Sequence, residues 1–334
     1  MSVRFGLLGA GRIGKVHARA VGGNPDAKLV AVADAVPKAA KDIATAYGAE
    51  VRSIDDIAKA KDIDAAVICT PTDTHADLIE KFARAGKAIF CEKPIDLSVA
   101  RVRECLDVVA KTRATLMVGF NRRFDPHFMA VKDAVASGSI GKVEQIQITS
   151  RDPGPPPYDY ISRSGGIFRD MTIHDLDMAR FLLGAEPVSV TAHGSVLVDR
   201  EIGRRGDFDT ATVILTTKSG QQCVITNSRR ANYGYDQRIE VLGSKGMVAA
   251  ENQRPVSIET ATAKGFTRPP LHDFFMTRYV AAYANEIAAF ISALKTNTPA
   301  KPDGADGLAA LLLAEAALRS VAEKRTVLVK EVAG

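Results

Sequence analysis

The stretch that most constrains the fold is residues 3–34, VRFGLLGAGRIGKVHARAVGGNPDAKLVAVAD. The apolar run VRFGLLG can be buried on both faces, as a central strand of a parallel sheet requires. It leads directly into glycines at 9, 11 and 14, then a helical segment and a second apolar run, KLVAVAD. G-x-G-x-x-G between strand and helix predicts a dinucleotide turn. Gly9 allows the tight bend, Gly11 lets the backbone approach a pyrophosphate, and Gly14 lets helix and strand pack closely. Arg12 and Ile13 complete the turn, where the helix N-terminus offers N–H groups and partial positive charge to the phosphates. Asp34 ends the second strand, twenty residues beyond Gly14. Its carboxylate suits the adenosine ribose hydroxyls and repels a 2′-phosphate, and Ala35, Val36 and Pro37 bring no arginine beside it. NAD is therefore expected rather than NADP.

The same alternation runs on to residue 120. Pro37 to Tyr47 reads as a helix, residues 51–53 as a short strand and the segment from Ser53 as a short helix. DAAVICT (64–70), KAIFCEKP and ATLMVGF (114–120) read as buried strands separated by helices, the pattern of a parallel sheet with covered faces. Ligand groups belong at the carboxyl ends of such strands. That selects Thr70, Pro71 and Thr72 after one strand, with His75 opening the next helix, and Glu92 and Lys93 after another. A loop lysine is ordinarily a solvated charge, but Pro94 restricts the backbone of Lys93 and gives it a fixed aim.

A chain of 334 residues exceeds one domain, and from about 121 the pattern changes. A helix over FDPHFMAVKDAVASG precedes GKVEQIQITSRD, whose alternation predicts a strand with one exposed face. DPGPPPYDY carries four prolines in nine residues, which excludes helix and central strand. SVTAHGSVLV, TATVILTT, QQCVITNSRR and DQRIEVLG predict antiparallel strands, followed by helices over about 273–295 and 305–323 and a short strand, TVLV. The expected fold is an α/β Rossmann nucleotide-binding domain, 1–120. A C-terminal α+β domain with a large, mostly antiparallel open sheet, 121–334, follows it.

The formal charge of +5 is spread along the chain, too diffuse for nucleic acid. No uncharged apolar stretch of about 20 residues exists to span a bilayer, and the N-terminal run reads as a strand rather than a leader. The cysteines at 69, 91, 105 and 223 lack zinc or disulfide spacing, so buried free thiols and a cytoplasmic location are expected. HDLD is not HExxH and no GxSxG occurs, so neither a metal site nor a serine nucleophile is expected.

The densest polar cluster is GGIFRDMTIHDLDMARFL, 165–182. Helical spacing puts Asp170, His174, Asp177 and Phe181 on one side. Asp170 falls at or just before the helix start, where capping alone would explain it. An isolated histidine on such a helix is ordinarily structural, but Asp170 one turn earlier makes an acid–imidazole pair. Such a pair suits a base that takes a hydroxyl proton as hydride leaves the same carbon. A non-catalytic NAD-binding sensor is the alternative of another class, and would make these residues incidental.

On these residues the chain resembles the glucose–fructose oxidoreductase/inositol dehydrogenase/rhizopine-catabolism family. The likeness rests on GxGxxG at 9–14, TPTDTHAD at 70–77, EKP at 92–94 and GG…D…H at 165–174. CEKPIDL, GFNRRFDPHF (119–128), GGIFRDMTIHDLDMARFLLG and NSRRANYGYDQRIEVLGSKG (227–246) are similar to the branch acting on inositols. The resemblance implies NAD-dependent oxidation of a cyclic polyol, myo-inositol, to its 2-keto form. Another isomer such as scyllo-inositol, or an aldose, is the alternative. It further implies Lys93 on the reacting hydroxyl and nicotinamide ribose, Asp170 and His174 as catalytic pair, and Asn121 and Arg122 facing the polyol. Asp152, Asn227, Tyr233 and Tyr235 follow as weaker candidates for its hydroxyls. A homotetramer or dimer is implied as well.

Overall fold

The computed structural model describes residues 2–333, which form two units: 2–125 with 280–311, and 126–279 with 312–333. In the first unit the buried apolar runs become β1 (Val3–Leu8), β2 (Ala27–Ala33), β3 (Glu50–Val51), β4 (Ala65–Ile68), β5 (Ala88–Glu92) and β6 (Leu116–Gly119). They pair in parallel in the order β3-β2-β1-β4-β5-β6. The order reverses between β1 and β4, which makes the carboxyl ends of those strands the switch point where such sheets bind ligands. Helices Arg12–Gly22, Pro37–Tyr47, His75–Arg84 and Val99–Thr112 make the crossovers.

Residues 280–311 group with this unit although they follow the second in sequence. The cause is the helix Val280–Thr296, whose Ile287, Phe290 and Ile291 join the core around β1 and the helix Arg12–Gly22. The Phe290 ring lies 5.9 Å from Phe90 and 6.3 Å from Phe5. Each such buried aromatic stabilises the packing by about 1.5–3 kcal/mol. The helix expected over 273–295 is broken, with a short turn Phe275–Arg278 preceding Val280–Thr296.

The second unit contains β7 (Val143–Arg151), β8 (Pro187–Ser195), β9 (Thr210–Thr217), β10 (Gln222–Ser228), β11 (Asp236–Gly243) and β12 (Gly246–Ala250). A separate hairpin is formed by β13 (Thr260–Thr262) and β14 (Gly265–Thr267), and β15 (Val327–Leu328) pairs with β8. The large sheet runs β12-β11-β7-β10-β9-β8-β15. Its strands pair antiparallel with one exception, β10, which runs parallel to β7, so the sheet is mostly antiparallel as expected. The β8–β9–β10 meander delivers β10 to the edge of β7 in the same direction as β7.

Alternation gives this sheet two different faces. Ile146, Ile148, Val213, Leu215, Cys223, Ile225, Ile239 and Val241 are buried, and the helix Ile173–Leu183 packs across β7. On the other face Thr191, Ile214, Val224, Gln147 and Glu240 stand in one register row across five strands, and Ile214 is 40% exposed. The Pro-rich segment ends in a helical turn, Tyr158–Ile161, contrary to the expectation of no helix there. Pro157 merely precedes that turn, a position where its missing N–H costs nothing.

Candidate active site

In the first unit the glycine turn is packed on one side and open on the other. Gly9 has φ +94°, and a Cβ there would stand 2.5 Å from the Cys69 carbonyl oxygen at the end of β4. A Cβ on Gly14 would overlap the Gly9 carbonyl oxygen, whereas one on Gly11 would meet nothing within 4 Å. Packing therefore demands glycine at 9 and 14, while at 11 only a ligand reaching the backbone would. Gly11 is also the N-cap of the Arg12–Gly22 helix and has no side-chain cap, so the first turn presents its N–H groups. Ile13 turns back, partly buried, against the core of this unit.

Asp34, at the end of β2, accepts hydrogen bonds from Ala10 N (2.5 Å) and Val36 N (2.7 Å). Its carboxylate is thereby tied to the turn, and the residues fit NAD: an open glycine cradle, a helix N-terminus without a side-chain cap and a fixed acid at the second strand end.

The ends of β4, β5 and β6 carry the other expected residues. Thr70 and Pro71 lead into a 3-10 turn, Thr72–Thr74, in which Thr74 Oγ1 donates to Thr70 Oγ1 (2.7 Å). His75 is buried, with Nδ1 2.8 Å from the Pro94 carbonyl and Nε2 2.8 Å from the Thr70 carbonyl. It acts as a clasp between two strand ends, which leaves neither nitrogen directed at a cofactor. Glu92 ends β5 with Oε1 2.6 Å from His17 Nε2, and half-buried Lys93 follows, its N–H donating to Glu92 Oε2 (3.3 Å). Asn121 and Arg122 open the turn after β6 and are buried; among the described residues Asn121 Nδ2 has no acceptor.

In the second unit Asp170 lies in a π turn, Phe168–Thr172, three residues ahead of the helix Ile173–Leu183, and His174 is the second residue of that helix. The expected cap is not what holds Asp170. Tyr160 Oη donates to its Oδ1 (2.7 Å), and Arg229 Nη1 lies 3.7 Å from its Oδ2. Arg229 is fully buried and reaches Asp207 with Nη2 (3.2 Å); Asp207 in turn accepts from Ile167 N (2.8 Å). The paired glycines before Asp170 follow from this: Gly165 and Gly166 have φ +82° and +80°, and a Cβ on Gly166 would fall 2.6 Å from Asp207. Arg169 pairs with Glu315.

The weaker candidates lie elsewhere or are already engaged. Asn227 is buried under the helix, donating to Asp175 (2.8 Å) and accepting from Thr172 Oγ1 (2.6 Å). Asp175 also accepts from Ser150 Oγ (2.6 Å), and Asp177 is buried beside Arg180. Tyr233 is half-exposed and donates to Asp236, while Tyr235 is buried edge-on against Phe274 and Tyr279. Asp152 follows β7, its N–H bound to the Ser228 carbonyl. Sequence reasoning missed Tyr160, Asp207 and Arg229. Tyr160 closes the Pro-rich segment and Arg229 stands two residues beyond Asn227, but neither spacing announces a carboxylate partner.

Among the described residues no helix is long and apolar enough to cross a membrane, and all four cysteines are free and buried. Residues 3–120 match the oxidoreductase family with an NAD-binding Rossmann fold, and residues 128–249 match the GFO/IDH/MocA C-terminal domain. The chain is 73% identical to inositol 2-dehydrogenase of Rhizobium meliloti (strain 1021), over 98% of this chain and 99% of that one. The crystal structure of a myo-inositol dehydrogenase from Corynebacterium glutamicum superposes with a TM-score of 0.95 at 46% identity, covering 98% of this chain and 99% of that one. That of scyllo-inositol dehydrogenase from Lactobacillus casei, with NAD(H) and scyllo-inositol bound, gives 0.92 at 29% identity, over 99% and 100%. With both halves matched and the glycine turn and Asp34 in place, the chain belongs to the GFO/IDH/MocA family of NAD-binding oxidoreductases.

Proposed function

We propose that this NAD-dependent dehydrogenase oxidises the CH–OH group at C2 of myo-inositol to the ketone, giving scyllo-inosose. The observation that carries the substrate is the 73% identity, across nearly both whole chains, to a protein named inositol 2-dehydrogenase. When bound, NAD accepts hydride at its nicotinamide. His174 takes the hydroxyl proton as general base, and Asp170, held by Tyr160 and Arg229, steadies the imidazole and favours its protonated form. Lys93 donates to the same oxygen and stabilises the negative charge that develops there. Asn121 and Arg122 bind ring hydroxyls; the acceptor-less Asn121 amide supports that role. A site whose own donors are left unpaired by the wrong sugar discriminates strongly.

Scyllo-inositol is the second reading, favoured by the ligand-bound Lactobacillus casei structure at lower identity. We also assign the chain to the cytoplasm, which suits four buried free thiols, and to a homotetramer, with the open sheet face around Ile214, Leu242 and Met247 as its contact surface. NADH formation from a panel of inositol isomers and hexoses tests the reaction. Turnover of myo-inositol above the other isomers is expected; efficient turnover of hexoses with inert inositols sinks it.

A further inference from the structure

The role of Lys93 leaves one buried cluster of the first unit unexplained. His17 from the helix Arg12–Gly22, Glu92 from β5 and Glu286 from the helix Val280–Thr296 bring one side-chain N or O atom each within 4.8 Å of one another. His17 and Glu286 have no solvent exposure, and Glu92 is 8% exposed. His17 Nε2 is 2.6 Å from Glu92 Oε1, and its ring is wedged between Phe90 (5.0 Å) and the edge-on Tyr283 (5.5 Å). Neither oxygen of Glu286 accepts a hydrogen bond among the described residues.

One imidazole serves two carboxylates here, and it is committed to Glu92. A second buried anion with no donor would carry a desolvation cost of several kcal/mol and face the repulsion of the first. A carboxylic acid avoids both and gains an O–H donor. We propose that Glu286 is held as the neutral acid and, together with His17, positions Glu92 so that the β5 end presents Lys93. Glu92 is the link, since its Oε2 accepts from Lys93 N (3.3 Å). The proposal rests on the role given above to Lys93, and makes Glu286 a positioning residue. Burial and the nearby Glu92 both push the Glu286 carboxyl well above the usual range, in agreement. The titratable groups around it are Glu92, His17, with Tyr283 of the Glu286 helix edge-on to its ring, and Cys69 at the end of β4, whose thiol burial pushes far up.

The test compares the full-length protein with Glu286→Gln and Glu286→Ala. Unfolding releases the proton that folded Glu286 keeps, so wild type should lose stability relative to Glu286→Gln as pH rises above the unfolded carboxyl range. In urea titrations its relative unfolding constant should rise by up to about ten-fold per pH unit above ~4.3. A flat difference overturns the neutral acid. In turnover, Glu286→Gln should keep kcat and KM within about two-fold, and Glu286→Ala should lower kcat about ten-fold with NAD affinity unchanged. Unchanged kcat in Glu286→Ala, or a Gln variant as slow as Ala, overturns the positioning role. If the Ala variant does not fold, Glu286→Met replaces it in turnover, and the pH comparison stands regardless. A zinc-dependent rise in melting temperature that Glu286→Gln abolishes would make the cluster a cation site and overturn the proposal. If wild type oxidises no polyol, the functional reading fails, while the unfolding data still report the protonation state.

Discussion

Tyr160 donates its phenol proton to Asp170 across 2.7 Å, from a helical turn that closes the Pro-rich segment. A donor of this kind fixes a carboxylate in direction and helps keep it in place against water. Tyr160→Phe removes the bond and leaves the ring. Because the bond is to a charged group and partly exposed, kcat/KM for the polyol should fall about 3- to 30-fold, with NAD affinity unchanged. Steady-state kinetics and NAD titration of the variant check this. An unaltered kcat/KM would free Asp170 from any dependence on Tyr160.

How much of this site is legible in the sequence depends on how local each feature is. Gly9, Gly14 and Asp34 act within one β–α–β unit, and the structure puts them where spacing places them. The same holds for the parallel pairing of the strands around β1. Arg229 and Asp207 escape notice because their meaning lies in partners: Asp207 binds the amide of Ile167, forty positions earlier, and Arg229 reaches both Asp207 and Asp170. His17 likewise reads as one face of a nucleotide-fold helix until Glu92 and Glu286 arrive from distant segments. The parallel β7–β10 pair is hidden for a related reason. Alternation reports which face of a strand is buried and says nothing of the direction of its neighbour.

The last two glycines of the turn should separate folding from cofactor binding. A methyl on Gly14 overlaps the Gly9 carbonyl oxygen, so Gly14→Ala must push the helix off β1, and its melting temperature should drop by several degrees. A methyl on Gly11 meets nothing within 4 Å, and its φ of −70° is ordinary for alanine. Gly11→Ala should therefore hold or raise stability by up to about 1 kcal/mol while NAD affinity falls ten-fold or more. Thermal melts with and without NAD measure both. Undiminished NAD affinity in Gly11→Ala would remove the pyrophosphate from this position.

Asp34 has two jobs that two substitutions can pull apart. Its oxygens accept from Ala10 N and Val36 N, and its charge opposes a 2′-phosphate. Asp34→Asn removes the charge and keeps one carbonyl acceptor; Asp34→Ala removes both acceptors. The ratio of kcat/KM with NAD to that with NADP should shrink by about ten-fold or more in both variants. NAD affinity should suffer more in the alanine variant, where the turn loses its tie. Unchanged cofactor preference in both would show that Asp34 does not choose between the dinucleotides.

Asp236 should make the second unit acid-sensitive. It begins β11, is fully buried, and accepts from Tyr233 Oη (2.6 Å), Arg238 Nε (2.7 Å) and Asn252 Nδ2 (2.7 Å), with Arg151 3.4 Å away. Burial pushes its pKa up, but these donors outweigh burial, so the folded carboxyl titrates below its ordinary value. The unfolded chain therefore takes up the proton first as pH falls. Stability from this group is fully present above the unfolded Asp pKa of about 3.9 and is lost progressively below it, until the folded group also protonates. Asp236→Asn keeps the size and removes the charge, so it should be less stable than wild type at neutral pH by about 1–3 kcal/mol. That gap should narrow as urea titrations move from pH 5 towards pH 3, since only wild type loses the anion. A gap that stays constant over this range would mean that the Arg238 and Tyr233 bonds do not stabilise the ionised form.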